Sequence, residues 1–368
     1  NQMEISIIGY PKSGKTTVFN GLTQGQADTA PYSTGTLRPN IGMAKVPDSR
    51  VDSLVNLYNP KKVTLAEVSY SDIPGMTEGF GASVGIHGEL LNLLQRADAL
   101  IHVVRLFKDE TIPFPKGAES PADSIPGMDL ELTGVDLGIL DRRLNRLQFM
   151  EKGAKPHERS MLKEERALLD RLKYGLDADI PIRDQKLDSN ELKLVRNYQF
   201  LTSKPILIVL DIDEGSTDSL ERYEQEFQTE YGRQGVEILA LSGKIEMELA
   251  QLPPEDRDEF RDSLGLNASG LDRVVEASYR LLELISFLTT GEDEVRAWSV
   301  PKYSSALECA GRIHSDIERG FIRAEVIGYE DFLSCGGMVE AKRKGLLRQE
   351  GKSYLMQDGD IVHFLFNV

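Results

Sequence analysis

Three features of the sequence predict an α/β protein that carries an inserted helical hairpin and a small α+β domain at its C-terminal end. A β-branched run, Ile5-Ser6-Ile7-Ile8, leads into Gly9-Tyr10-Pro11-Lys12-Ser13-Gly14-Lys15-Thr16 and then into a helix-like segment from Thr16 to Leu22. Short apolar runs at 41–46, 65–70, 99–104, 205–210 and 236–241 are separated by helical or loop-like stretches, the alternation of an α/β domain. The composition then changes twice, Leu-rich and charged at 131–200 and short alternating segments at 291–368. The expected division is therefore 1–130 with 201–290 as one domain, 131–200 as its insertion and 291–368 as the last domain.

The first strand, loop and helix match G-x-x-x-x-G-K-[ST], and phosphate chemistry explains the residue types. Glycines let the backbone curl until several N–H groups point at phosphate oxygens, and the helix adds its positive N-terminal end. Gly9, Tyr10, Pro11, Lys12, Ser13, Gly14 and Thr17 read as the cradle of a purine nucleotide, ATP or GTP. Lys15 would reach the β and γ phosphates, and the Thr16 hydroxyl would ligate Mg²⁺. A ligand-free Gly-rich turn is the alternative, and the flanking strand and helix argue against it.

Composition narrows the function classes. With 368 residues the length suits two or three domains, and 40% hydrophobic content supplies their cores. Lys+Arg number 43 against 59 Asp+Glu, a net charge of -16, which excludes a protein that coats nucleic acid through a large basic surface. Cys309 and Cys335 stand far apart and outside any C-x-x-C, so reduced thiols are expected. No apolar run approaches the ~18 residues of a membrane span, and the sequence starts in a strand without a signal peptide. A cytoplasmic protein with no membrane partner is the expectation.

Taken in order, residues 24–40 have loop composition, and Thr34 and Thr36 are both candidates for a switch threonine that closes over Mg²⁺ and the γ-phosphate. The run at 65–70 leads into Ser71-Asp72-Ile73-Pro74-Gly75. Asp72 would give the second Mg²⁺ contact and the Gly75 N–H would sense the γ-phosphate, the upstream loop raising this Asp-x-x-Gly above an ordinary turn. Met76 stands where many GTPases carry a water-orienting Gln, so hydrolysis needs another group or is slow. The glycine-rich stretch 79–88 reads as a mobile loop before a helix at 89–97, and His102 in the apolar run reads as a core histidine.

Leu137, Leu140, Leu144 and Leu147 match Leu162, Leu169, Leu172 and Leu176 across Gly153-Ala154-Lys155-Pro156, the spacing of an antiparallel helical hairpin. The run at 205–210 ends in Asp211-Ile212-Asp213-Glu214, and that at 236–241 ends in Ser242-Gly243-Lys244. In such folds these strand ends hold the purine, one through side chains and the other through backbone N–H groups. A helix over 270–288 would close the unit. Beyond it, alternating segments at 296–300, 321–326, 353–357 and 361–366 surround a helix at 306–317. His314 and Asp316 supply too few ligands for a metal site.

At this point longer strings carry a resemblance. Pro31-Tyr32-Ser33-Thr34, Arg38-Pro39-Asn40-Ile41-Gly42, Asp72-Ile73-Pro74-Gly75, His102-Val103-Val104-Arg105, Glu294-Val295-Arg296-Ala297-Trp298, Gly320-Phe321-Ile322-Arg323-Ala324-Glu325-Val326 and Gln357-Asp358-Gly359-Asp360 resemble the YchF, or Obg-like ATPase, family over nearly the whole chain. The resemblance implies a Ras-like P-loop NTPase domain, a coiled-coil insertion and a C-terminal β-grasp TGS domain. It also implies an NTPase linked to ribosomes, translation or stress responses, with Thr34 as the switch threonine, Asp72 as the Mg²⁺ carboxylate and Met76 as the family's apolar residue.

Two departures follow. Where the family has Asn-x-x-Glu, this chain has Asp211-Ile212-Asp213-Glu214; a carboxylate cannot donate to purine N7, though it can accept a bond from the P-loop backbone. Glu214 is too long to copy the carboxylate that reads guanine, so ATP should bind at least as well as GTP. Phe114 lies near the position of a family His proposed to help hydrolysis, and no His occurs from Val103 to Lys155. Two readings result: a slow Mg²⁺-dependent NTPase switch accelerated by a ribosomal partner, or a nucleotide-controlled RNA- or ribosome-binding module with incidental hydrolysis. A GTP-preferring GTPase is the remaining variant, and the cluster Lys342-Arg343-Lys344 with Arg348 is the candidate RNA contact.

Overall fold

Apolar runs at strand spacing and amphipathic helices give, in the computed structural model, two six-stranded sheets; the described residues are 3–25, 39–74, 88–107 and 120–367. In chain order the elements are β1 (Glu4–Ile8), α1 (Lys15–Thr23), β2 (Asn40–Lys45), α2 (Ser49–Tyr58), β3 (Lys62–Thr64), β4 (Glu67–Asp72), α3 (Gly88–Arg96), β5 (Ala99–Arg105), α4 (Ser124–Gly153), α5 (Pro156–Asp177), α6 (Ser189–Tyr198), β6 (Ile206–Asp211) and α7 (Leu220–Tyr231). There follow β7 (Val236–Leu241), α8 (Gly243–Gln251), α9 (Pro254–Ser263), α10 (Gly270–Leu281), β8 (Leu284–Thr289), β9 (Glu294–Pro301), α11 (Ala306–Ile313), α12 (Ser315–Arg319), β10 (Phe321–Gly328), α13 (Tyr329–Cys335), α14 (Met338–Arg343), β11 (Arg348–Glu350) and β12 (Asp360–Phe366). Two compact units result, Asn1–Gly42 with Ser69–Val274, and Met43–Val68 with Val275–Val368.

In the first unit the strand order is β2-β4-β1-β5-β6-β7. The pairs β4/β1, β1/β5, β5/β6 and β6/β7 are parallel. β5 and β6 are buried at every residue, as strands covered on both faces must be, which explains their continuous apolar runs. Register sets Ile7 beside Asp72, and Asp211 between Arg105 and Leu241. The carboxyl ends of β1, β4, β6 and β7 are thereby aligned, the edge at which open α/β sheets hold ligands.

The helical pair α4 and α5 forms as the leucine spacing requires. Leu140, Leu147, Leu168, Leu169, Leu172 and Leu176 make its core with Val195 and Phe200, while Leu137, Leu144 and Leu162 pack at its edge. α4 serves two cores, because Ile125, Met128, Leu132 and Val135 in its first half pack with the sheet residues Leu100, Val104 and Ile206. At the junction Asp136 is fully buried and accepts the Leu201 and Thr202 backbone amides, each at 2.8 Å. Farther out, Arg143 Nε donates to Glu165 Oε1 at 2.7 Å and the Tyr198 hydroxyl donates to the same oxygen.

The second unit holds a mixed sheet ordered β11-β10-β12-β8-β9-β3. Three expectations change here. The helix expected over 270–288 stops at Leu281, where Glu283 takes a φ of 51° and the next apolar residues enter β8. The alternation at 353–357 gives no strand: Leu355 makes only an isolated bridge to Ser305, and β11 at Arg348–Glu350 takes the edge. The helix expected over 306–317 divides into α11 and α12 at His314. His314 is structural, since its Nδ1 accepts the Asp316 backbone amide at 3.1 Å and caps α12.

Candidate nucleotide site

The loop after β1 owes its curl to backbone that side chains disfavour: Lys12 has φ 61° and Gly14 φ 94°. Gly14 stands at the N-cap of α1 and has no side chain to accept an amide, and the first turn holds no acidic residue. The first-turn N–H groups and the helix dipole are thus left for an anion. Gly9 is required by close approach, since a Cβ there would lie 2.5 Å from Ser13 Oγ and 3.0 Å from the Val103 carbonyl oxygen. Ser13 donates its amide to the Tyr10 carbonyl at 3.2 Å, and its buried hydroxyl has no partner.

Three of the sequence-derived residues meet at the N-terminus of α1. Asp72 is fully buried at the end of β4 and accepts the Thr16 hydroxyl at 2.8 Å through Oδ2. Its Oδ1 lies 3.6 Å from Lys15 Nζ and accepts no hydrogen bond. Lys15 is itself buried. A bare carboxylate oxygen beside a hydroxyl oxygen is the hard-oxygen donor set that a small divalent cation takes, so Thr16 and Asp72 fit Mg²⁺. Thr17 begins the same helix.

The remaining described residues of the sequence-derived set lie at the ends of β6 and β7. Asp211 Oδ1 accepts the Gly243 amide at 2.8 Å, and burial pushes this carboxyl up to about 6. Its anchoring amide therefore comes from the end of β7 and not from the P-loop backbone. Ile212 is buried and donates its amide to the Leu241 carbonyl at 2.9 Å. Glu214 pairs with Lys244 at 2.7 Å, so neither charge stands alone. Ser242 places a buried hydroxyl without a partner at the same strand end. Thr34, Thr36, Gly75, Met76 and Phe114 lie outside the described residues.

Two features were not legible in the motifs. Gly127, in the first turns of α4, approaches Tyr10 so closely that a Cβ would lie 2.9 Å from the phenol oxygen; the only sequence signal was a glycine inside a helical pattern. His102 is buried as expected, but its Nε2 has no partner, and burial lowers it to about 4, so the ring is neutral at physiological pH. Among the described residues no group of three or more His, Cys, Asp or Glu is placed to hold a metal ion, and no helix is long and apolar enough to cross a membrane.

A largely parallel sheet whose first strand runs into this loop, with a buried aspartate at the end of its neighbour, defines a P-loop NTPase fold. A family model described as a 50S ribosome-binding GTPase matches residues 4–127. A second, YchF-GTPase_C, described as a protein of unknown function, matches residues 284–367. The protein called Ribosome-binding ATPase YchF in Bacillus subtilis (strain 168) is 40% identical over 364 residues, 98% of each chain. Its namesake in Mycoplasma genitalium is 37% identical over the whole of both chains. The solved structure of the Schizosaccharomyces pombe YchF GTPase superposes with a TM-score of 0.85 at 28% identity, covering 99% of this chain and 98% of that one. The chain belongs to the YchF family.

Proposed function

We propose that this chain binds a purine nucleoside triphosphate with Mg²⁺ and hydrolyses its β–γ bond slowly, as a cytoplasmic switch that associates with the ribosome. The observation that carries the proposal is the cluster of Lys15, Thr16 and Asp72, a buried lysine and carboxylate held beside a helix N-terminus with no acidic residue in its first turn. In this role Lys15 neutralises charge on the β and γ phosphates, the backbone amides from Gly14 to Thr17 orient them, and Thr16 and Asp72 hold the cation. Bound Mg²⁺ would supply charge neutralisation of the phosphate oxygens. Thr34 and the Gly75 amide would close over the γ-phosphate, with Met76 leaving the water unoriented and the basal rate low.

ATP is expected to bind at least as well as GTP. The Glu214 carboxylate is held by Lys244 at 2.7 Å, so accepting two bonds from a guanine would compete with that pair. The ribosome enters from the relatives, which are named ribosome-binding ATPases. The division of labour follows the sequence: residues 1–130 and 201–290 bind nucleotide, the hairpin at 131–200 and the TGS-like domain at 291–368 engage the partner. The test is calorimetric titration of nucleotide-free protein with non-hydrolysable ATP and GTP analogues, with and without Mg²⁺, beside Lys15→Ala. Mg²⁺-dependent binding lost in Lys15→Ala is expected; failure of both analogues to bind would end the proposal.

A further inference from the structure

Asp211 stands at the end of β6 in an unusual state of partial satisfaction. It is 5% exposed, its Oδ1 takes the Gly243 amide at 2.8 Å, and among the described residues no donor reaches its Oδ2. That second oxygen faces the P-loop, since a Cβ on Gly14 would strike Oδ2 before any other atom. An asparagine here would place its carbonyl on the Gly243 amide and its NH₂ where Oδ2 stands. A neutral carboxylic acid has the same pattern, an accepting carbonyl at Oδ1 and a donating O–H at Oδ2, whereas the carboxylate has two acceptors.

We infer that Asp211 reads the purine as a neutral carboxylic acid, its Oδ2–H donating to N7 of the base while Oδ1 keeps the Gly243 bond. This rests on the nucleotide-binding proposal and adds the protonation state in which the base is held. Burial supports it, raising the carboxyl to about 6 against the opposing pull of the Gly243 amide. The charged groups on the surrounding elements are Arg105 of β5, Lys12 and Lys15 of the P-loop, Asp213 and Glu214 after β6, and Lys244 and Glu246 of α8. Lys15 is engaged by Asp72, Lys244 by Glu214, and Glu246 by the Gly270 amide, so burial sets the shift. Because N7 is common to adenine and guanine, the contact adds affinity without choosing between them. Binding near neutral pH then takes one proton from solvent onto Asp211.

The test titrates the full chain with Mg-ADP and with 7-deaza-ADP, which lacks the N7 acceptor, near pH 6 and pH 8. Wild-type protein should bind ADP about tenfold more tightly at the lower pH relative to the 7-deaza analogue, whose phosphates titrate identically. Asp211→Asn should bind ADP with the shallow pH dependence of the analogue, and only wild type should show proton uptake when buffers of different ionisation enthalpy are compared. Parallel pH profiles for ADP and 7-deaza-ADP on wild type would overturn the inference while nucleotide binding stood. Absence of ADP binding at both pH values would overturn both, and the analogue comparison needs no variant to fold.

Discussion

Replacing Gly14 with alanine tests how tightly the P-loop and the end of β6 are locked together. Gly14 has φ 94°, and alanine in the left-handed region costs roughly 1–2 kcal/mol. The new Cβ also collides with Asp211 Oδ2. If Asp211 turns aside, the buried Gly243 amide loses its 2.8 Å partner, a further cost of roughly 1–3 kcal/mol. Gly14→Ala should therefore destabilise the protein by roughly 2–5 kcal/mol. In an Asp211→Ala background the collision is gone, and only the backbone part, roughly 1–2 kcal/mol, should remain. Urea unfolding of the four proteins of this double-mutant cycle reads the coupling as shifts in midpoint at constant slope. Additivity within about 0.5 kcal/mol would refute the contact.

Thr16→Val removes the hydroxyl beside Asp72, and the gain in triphosphate-analogue affinity on adding Mg²⁺ should fall about tenfold, with affinity in chelator little changed. Equal losses in both conditions would make Thr16 a structural residue. Asp136→Ala strands the Leu201 and Thr202 amides in a buried junction and should cost roughly 2–5 kcal/mol in urea, a loss below about 1 kcal/mol contradicting those bonds. Burial raises Asp136 from 3.8 to about 6, so its contribution is full below the unfolded value and is lost as pH rises through about 6. The wild-type stability-pH profile should fall across that window relative to Asp136→Asn, and parallel profiles would count against the shift. The Cys309 thiol, pushed up to about 12 by burial, should resist iodoacetamide at pH 7.5 until denaturant is added.

What the sequence revealed was what a few adjacent residues decide. The P-loop and the continuous runs of β5 and β6 are local patterns and form where they are expected, while the run at 65–70 gives a strand shifted to Glu67–Asp72. The end of α10 was hidden because Leu281 and Leu282 continue the helical spacing into β8, and only the positive φ of Glu283 breaks it. β3 and β11, three residues each, are too short to show a period, and their partners in β9 and β10 supply the order. At the site, the Lys15–Asp72 approach was implied by motif spacing, whereas the amide held by Asp211 comes from a residue 32 positions later. No window of sequence contains both ends of that bond.

The thirty residues of α4 have a consequence beyond packing. At 1.5 Å per residue the helix is about 45 Å long, rooted in the sheet core and ending at the tip of the hairpin. Its first turns approach Tyr10 of the loop after β1 through Gly127. A rod held along its first half converts angle into distance: about 25 Å projects beyond Asp136, and a tilt of about five degrees there sweeps the tip through about 2 Å. The molecule thus carries a pointer whose far end magnifies whatever happens at the loop after β1, so that a small change there is legible at the tip.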